Sequence, residues 1–537
     1  MAAPVDSRVA ARLVDSSPLA DISLKLARLE SRFRRNVRDS VRTWRKLVDD
    51  EARLAGMTPE AKESARDAAR AEGHGGFLLT LDLPSYRAVM RHAEDRALRR
   101  DLYEAHITRA SDRGPGAGQF DNGPLVEEIL ALRYERARLL GFSSHAQAAL
   151  RATMAGSADG AERFLLELNS RVRPQAEAEL EAIWALAKSR DGLKGFRPWD
   201  LPYYAERLKE QELGWSEAEL SEYFCARRVV ASMLGLAEQR YGLALVPHPE
   251  RIARDGPRAT VRVLHGDGSE LGVLELELYG AREERGEPEV AAAVPRLSEH
   301  SLQLPAVRVQ CNFSPSVETR PCPMHPDEVR SLFHEFGGAL YRLAAAAGGP
   351  VDCGDADVAL ESAELFGHLF ASDLIDGVAL SRIAQHFETG EPLPCTEPAC
   401  LSACHPYPWA LAMAGEIESA LFDLRMHRDY VPAERSSRLR SQVLDTLVQA
   451  RREVSLLPPP PWDRSASSFV DIFGSSRGGG HFLHLWAEAI AADRARDRDS
   501  LRAVSANGIT ALVRYLRDKN PSIDALLRRN TSLMSRS

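Results

Sequence analysis

No run of about 18 consecutive apolar residues occurs in this 537-residue chain, so nothing in it reads as a membrane-spanning helix. Cysteine is scarce. Seven residues, an odd number, are too few for a disulfide framework and point to a reducing compartment, with the cytoplasm as the expected location. An excess of basic residues is also missing. Lys and Arg number 69 against 77 Asp and Glu, a net charge of −8, which argues against nucleic acid or an anionic membrane as partner. The opening, "MAAPVDSRVAARLVDSSPLADISLK", has no apolar core of signal-peptide length, and acidic residues interrupt its faint likeness to a transit peptide. Residues 1–20 are read as a flexible terminus. Internal repeats and long low-complexity tracts are absent.

What is present is ordinary for a folded chain: 44% hydrophobic and 27% charged residues. Apolar residues recur at helical spacing from Leu26 through Leu29, Phe33, Val37, Val41 and Trp44. The same period runs through 123–141, 161–190, 216–241 and 409–454. Breaks rich in Pro and Gly separate these runs, as in "DRGPGAGQFDNGP", "GLKGFRPWDLPYY" and "LLPPPPWD". Residues 260–280 alternate instead, with Val261/Val263 and Leu274/Leu276/Leu278 on either side of Gly266-Asp267-Gly268, and read as a hairpin. Residues 305–313 add a further strand. The expected fold class is mainly α, with a small β-sheet close to the helix described next.

That helix contains "SLFHEFGGALYRL", residues 331–343. A zinc-peptidase helix places two histidines at i and i+4, so that both face the metal, with a glutamate between them as general base. Here His334 supplies a ligand and Glu335 a base, but Gly338 stands at the i+4 position and has no side chain to offer. A third protein ligand would come from later in the chain, leaving one position open.

The surrounding segments carry more information than the five-residue motif. "GGFLLTLDLPSYRAVMRHAEDRALRRDLYEAHITRASD", "DNGPLVEEILALRYERARLLGF", "VRSLFHEFGGALYRL", "FETGEPLP", "ESALFDLRMH", "LWAEAIAAD" and "NPSIDALLRRN" together resemble the oligopeptidase A and thimet-oligopeptidase family of zinc metallopeptidases. The resemblance implies a large, helical, two-lobed body enclosing a deep channel that admits short peptides. It also begins late against the usual family domain. The expected organisation is a truncated helical lobe at 21–250 and a catalytic-like lobe at 251–537 with the small sheet, the HEFGG helix and the C-terminal helices.

Carried over residue by residue, the resemblance also implies losses. The opening His and Glu are kept as His334 and Glu335, and the next histidine is Gly338. The later glutamate ligand falls on Leu360 in "DVALESAELFGHLF", with Glu361 one residue late; a one-residue shift would rescue it. The family's substrate-clamping loop corresponds to "DIFGSSRGGGHFLHLW". There Asp471 replaces a histidine, Arg477, His481 and His484 replace tyrosines, Phe482 replaces another, and Gly478, Gly479 and Gly480 remain.

These losses gather at ligand and transition-state positions. The expectation is a catalytically impaired homologue, with Glu335 a vestigial base and a channel that binds a short peptide or a peptide segment of a partner protein. Arg477, Gly478, Gly479, Gly480, His481, Phe482 and His484 would line that channel. Metal is expected to be absent or to be weakly bound zinc, held by His334, Glu361 and His368. Glu361, Glu364 and His368, at i, i+3 and i+7, share one helical face, read either as channel lining or, with His334, as a substitute metal site. The alternative function is an active metallo-oligopeptidase, or another hydrolase, working through such a remodelled site. Cys395, Cys400, Cys404 and His405 lack the spacing of a zinc knuckle and are read as packing residues. "GSSRGGGH" lacks the Lys-Ser/Thr ending of a phosphate loop and is read as a mobile substrate-binding loop.

Overall fold

The computed structural model describes residues 18–247, 258–278, 289–294, 297–298, 301–302, 305–311, 323–347, 356–375, 377–393, 407–432, 436–494, 508–517 and 519–534. Most of the terminus expected to be flexible and the whole Cys395–His405 segment lie outside these residues.

The helical period at the start of the chain becomes α1, Pro18–Thr43, which buries Ile22, Leu26, Phe33 and Val37 along one stripe. The run at 123–141 becomes α2, Gly123–Leu139. The next run becomes α3, Ala158–Asp191. Ser157 caps the start of α3 by accepting the Gly160 N–H, and Gly192, at φ +62°, ends it in the left-handed conformation. Two expected single helices are each divided. Residues 216–241 form a short helix, Glu217–Ser221, then α4, Ala226–Tyr241. Between them Phe224 is fully buried, and its carbonyl accepts the Met324 N–H at 2.8 Å.

The run at 409–454 likewise divides, into α7, Trp409–Asp429, and α8, Ser436–Val454. Tyr430 is extended (φ −62°, ψ 128°). Pro432 follows closely and disfavours helical backbone in the residue before it. Periodicity passes over this break because apolar residues continue on both sides of it. The helix of the His-Glu motif is α5, Pro326–Ala347, and α6, Ala356–Ala371, packs along it. Further along are α9 (Leu483–Arg494), α10 (Ile509–Arg517) and α11 (Ile523–Met534).

Strands β1 (Lys46–Val48) and β2 (Phe77–Leu79) form a small antiparallel pair. The larger sheet contains β3 (Leu243–Pro247), β4 (Arg258–His265), β5 (Glu270–Glu277), β6 (Glu289–Val294) and β7 (Ala306–Gln310), in the spatial order β3-β4-β5-β7-β6. The hairpin read from the sequence is β4–β5, with Val261 opposite Leu274. The strand read at 305–313 is β7, parallel to β5. Val261, Val263, Leu274, Leu276, Val307 and Val309 are all buried, and the sheet lies against α5. Gly272 permits that contact. A Cβ there would sit 2.4 Å from the Pro305 carbonyl oxygen and 2.7 Å from Leu343 Cδ1 of α5.

One contiguous core runs from Ile22 to Leu526 and includes residues of both expected units. Phe333 and Phe336 of α5 meet Phe370 of α6 at ring-centroid distances of 5.5 and 5.3 Å, and Tyr241 of α4 meets Phe366 at 5.0 Å. This aromatic packing fixes α5 against α6 on the side away from the polar groups described next. The molecule is mainly helical with small sheets, as expected.

Candidate metal centre and glycine-loop cleft

The two helices approach closely because they meet at glycines. A Cβ on Gly337 would lie 3.0 Å from Gly367 Cα and 3.1 Å from the Phe366 carbonyl oxygen; one on Gly367 would lie 2.8 Å from the His334 carbonyl oxygen and 2.9 Å from His334 Nε2. The imidazole of His334 therefore lies over bare backbone of α6, between the side chains that precede and follow Gly367 on that face. Those are Glu364 and His368, at i and i+4.

His334, Glu364 and His368 each present a ligand atom within 4.8 Å of the others. His334 Nε2 is 3.4 Å from Glu364 Oε2, and the rings of His334 and His368 stand edge to face with centroids 4.6 Å apart. On the other side of the ring, His334 Nδ1 is 3.4 Å from Glu335 Oε1. Both His334 Nε2 and His368 Nε2 are buried without a hydrogen-bond partner. Two imidazoles, one carboxylate and two unpartnered buried nitrogens fit a zinc-type ion, whose catalytic sites use that donor set with one position open.

The electrostatics agree with a site organised around His334. Burial opposes charge on this ring, but Glu335 and Glu364 outweigh it and push its pKa up to about 10. Burial opposes charge on Glu364 as well, and His334 and Arg477 outweigh it, holding the carboxyl well below the usual range. His368 is pushed the other way, to about 3, by burial and then by the neighbouring His334. The two rings are thus biased in opposite directions, His334 by its carboxylates and His368 by burial.

Glu361 does not join this group. Its carboxylate is fully buried, accepts the Met154 N–H at 2.9 and 3.1 Å, and lies 3.7 Å from Arg517 Nη2 of α10. The stripe of α6 that faces α5 and the glycine loop is Leu360, Glu364, Gly367 and His368, and Glu361 is turned by one residue from it. A shared-face argument from the sequence admits Glu361 because i and i+7 nearly eclipse, but those positions are two helical turns apart along the axis.

The loop from Ser475 to Phe482 forms another wall. Arg477 is 40% exposed at its side chain and places Nη1 3.8 Å from Glu364 Oε1. With Leu150, Leu360, Gly478, Gly480 and Leu483 it lines a small pocket beside α6. His484 Nε2 and His481 Nε2 point to Glu416 Oε2 of α7, at 3.3 and 3.9 Å. Burial opposes charge on His484, but Glu416 raises its pKa overall, whereas burial and the adjacent His484 lower that of His481. Glu488, one turn further along α9, pairs with Arg529 of α11. That charge, working against burial, brings the Glu488 pKa down to about 2.

Two expectations for this loop change. Phe482 does not line a channel: it is fully buried in the core, with its ring 6.2 Å from that of Trp486. The glycines, read as giving mobility, give close packing instead. A Cβ on Gly478 would lie 2.1 Å from Arg133 Nη1 and 2.7 Å from His427 Nε2, and Gly479 has φ +85°. Asp423 of α7, fully buried, accepts the N–H groups of Gly479 at 2.9 Å and His481 at 3.0 Å, with His427 Nδ1 2.9 Å from its Oδ1. Arg133 of α2 donates to the carbonyls of Ile472 (2.8 Å) and Ser475, and lies 2.9 Å from His427 Nε2. Reading the sequence missed Asp423, His427, Arg133 and Glu416. A signal for the first two was present: "LFDLRMH" sets Asp, Arg and His among apolar residues, where buried charge needs a specific partner.

Comparison with known proteins supplies the family. Residues 89–518 match the sequence pattern of Peptidase family M3. Oligopeptidase A of Salmonella typhimurium is 36% identical over 478 residues, covering 88% of this chain and 69% of that protein. The probable cytosolic oligopeptidase A of Arabidopsis thaliana is 29% identical over 498 residues, covering 88% and 68%. Among solved structures, a PZ peptidase A with an inhibitor superposes with a TM-score of 0.54 at 12% identity, covering 98% of this chain and 78% of that one, which shows a shared fold. With its glycine-crossed α5 and α6 and its His-Glu helix backed by a small sheet, the chain belongs to peptidase family M3.

Proposed function

We propose that this chain is a peptide-binding member of the family in which hydrolysis is impaired. The observation that carries the reading is the pairing of Gly338 with Leu360. Neither of the two positions that the resemblance gives for further zinc ligands carries a ligating side chain, and Glu361 is committed to the Met154 amide and Arg517. The donors that would face a developing oxyanion are changed as well. Arg477, His481 and His484 stand in place of tyrosines, and both histidines are drawn to Glu416. Loss of one such donor typically costs about 2.7–4 kcal/mol of transition-state stabilisation. The ligand we assign is a short peptide, or a peptide segment of a partner protein, lying along the glycine loop. Its acidic groups would face Arg477 and its basic groups Glu416. We place the protein in the cytoplasm, on its few cysteines; among the described residues no helix is long and apolar enough to cross a membrane.

The test is a panel of fluorescent short peptides offered to the purified chain in buffer with added Zn2+. Binding should be saturable, with no cleavage products by mass spectrometry. Cleavage that EDTA stops and Glu335→Gln abolishes would overturn the reading. One observation favours a second reading, an active metallopeptidase with a remodelled centre: Glu335 adjoins a complete His-Glu-His donor set. When bound, an ion there supplies Lewis-acid polarisation of a peptide carbonyl, and Glu335 would hold the proton taken from the attacking water. The same assay separates the two.

A further inference from the structure

We infer that this chain binds one divalent transition-metal ion through a donor set drawn mainly from α6: Glu364 and His368 at i and i+4, with His334 from α5. This reverses the arrangement implied by the resemblance, in which the first helix gives two ligands and the second gives one. His368 would take the place left empty at Gly338. The inference concerns the cleft of the proposed function but does not depend on whether peptides are bound or cut.

Four observations carry it. First, the three ligand atoms already converge within 4.8 Å, with no other described His, Cys, Asp or Glu needed to complete the set. Second, His334 Nε2 and Glu364 Oε2 stand 3.4 Å apart. Two ligands each about 2.0–2.2 Å from a tetrahedral zinc lie roughly 3.3–3.5 Å from one another, so the pair has the spacing of neighbouring ligands. Third, His334 Nδ1 faces Glu335 Oε1. A metal-binding histidine generally directs its other nitrogen to a carboxylate or carbonyl that fixes the ring, and Glu335 occupies that orienting place. Fourth, the His334 ring is admitted to the α6 backbone only because residue 367 is glycine; any Cβ there would come within 2.9 Å of Nε2.

The competing account is an imidazolium held between two carboxylates, which needs no metal. Titration of the full-length, chelator-stripped protein with Zn2+ by calorimetry, and with Co2+ by visible absorption, separates the two. The expected result is one ion per chain, a visible Co2+ band typical of four or five N/O ligands, and a rise in Tm on adding Zn2+. His368→Ala and Glu364→Gln should each weaken Zn2+ binding by at least the roughly 10–100-fold that losing only an orienting partner costs. His265→Ala, at an exposed hairpin position, should leave binding unchanged. Folding of each variant is checked by circular dichroism. Should His368→Ala unfold the chain, His368→Gln and Glu364→Gln decide the matter. Absence of stoichiometric binding in the wild type, or binding that persists unchanged in the folded variants, would overturn the inference. Since no peptide enters this experiment, its failure is distinct from failure of the peptide-binding proposal.

Discussion

Asp423 sits in the core with no exposed surface, and it holds the glycine loop by accepting two of its backbone N–H groups. Burial works against its charge, but His427 outweighs that effect and keeps the carboxyl below its ordinary range. Replacing it with Asn puts an amide where only an acceptor fits, and the cost of an unsatisfied buried group is about 1–3 kcal/mol. We expect Asp423→Asn to unfold at lower urea concentration and to lose hydrogen-exchange protection at Gly479 and His481. Unchanged protection would show that the loop is held some other way. The same residue shows how far single positions can be read from sequence. His334 and Glu335 declared themselves through their motif, whereas Asp423 was hidden within a helix whose periodicity gave no polar face. Spacing along the chain favours Glu361 as the ligand, and the packing of α6 overturns that by turning Glu364 toward His334 instead. One turns into the core against Met154, the other to the cleft.

Among the elements, the α5–α6 crossing makes three glycines unequal. At Gly337 and Gly367 a methyl group would press on backbone at 2.8–3.1 Å, while at Gly338 the nearest atom, the Ala363 carbonyl oxygen, would be 3.4 Å away. Gly337→Ala and Gly367→Ala should therefore destabilise by about 1–3 kcal/mol through overpacking. Gly338→Ala should be neutral or stabilising by up to about 1 kcal/mol, the helix-propensity difference. Thermal unfolding of the three variants checks this order, and equal effects would contradict the close crossing. Asp327, in the first turn of α5, is 2.9 Å from Arg91 Nη2. Burial opposes its charge, but Arg91 and Lys209 bring its pKa down to about 2. A depressed folded-state pKa contributes stability above the unfolded value, about 3.9, that is lost as pH falls toward the folded one. The stability gap between wild type and Asp327→Asn, roughly 1 kcal/mol at neutral pH for a partly exposed pair at a helix N-terminus, should close as pH falls from about 4 to about 2. Chemical denaturation across that range measures it.

At the scale of the molecule, Arg133 ties distant parts of the chain together. From α2 it reaches Glu30 of α1 at 2.9 Å, His427 of α7, and the carbonyls of Ile472 and Ser475 before the glycine loop. It is 1% exposed, so these partners, with the nearby Asp423 charge, compensate for lost hydration. Arg133→Met would leave Glu30 and the loop carbonyls unpaired, and we expect a loss of about 3–5 kcal/mol, the range for breaking a buried pair. Because one core joins α1 to α11, the whole unfolding transition should shift as a unit, followed by circular dichroism and tryptophan fluorescence together. Separate transitions by the two probes would show instead that the N-terminal helices melt by themselves.

The helical class, the β4–β5 hairpin, the family and the glycine at position 338 are legible in the chain alone. Each of these is carried by local spacing or by segments long enough to be distinctive. Tertiary structure alone decided which acidic residue of α6 faces His334, that Phe482 belongs to the core, and that the loop glycines serve packing and are held by Asp423. The reason is physical: helical spacing limits a side chain to an arc of directions, but what lies across that arc is set by the neighbouring helix. Here the depth of the α5–α6 crossing depends on glycines whose lack of a Cβ has meaning only once a second backbone lies against them.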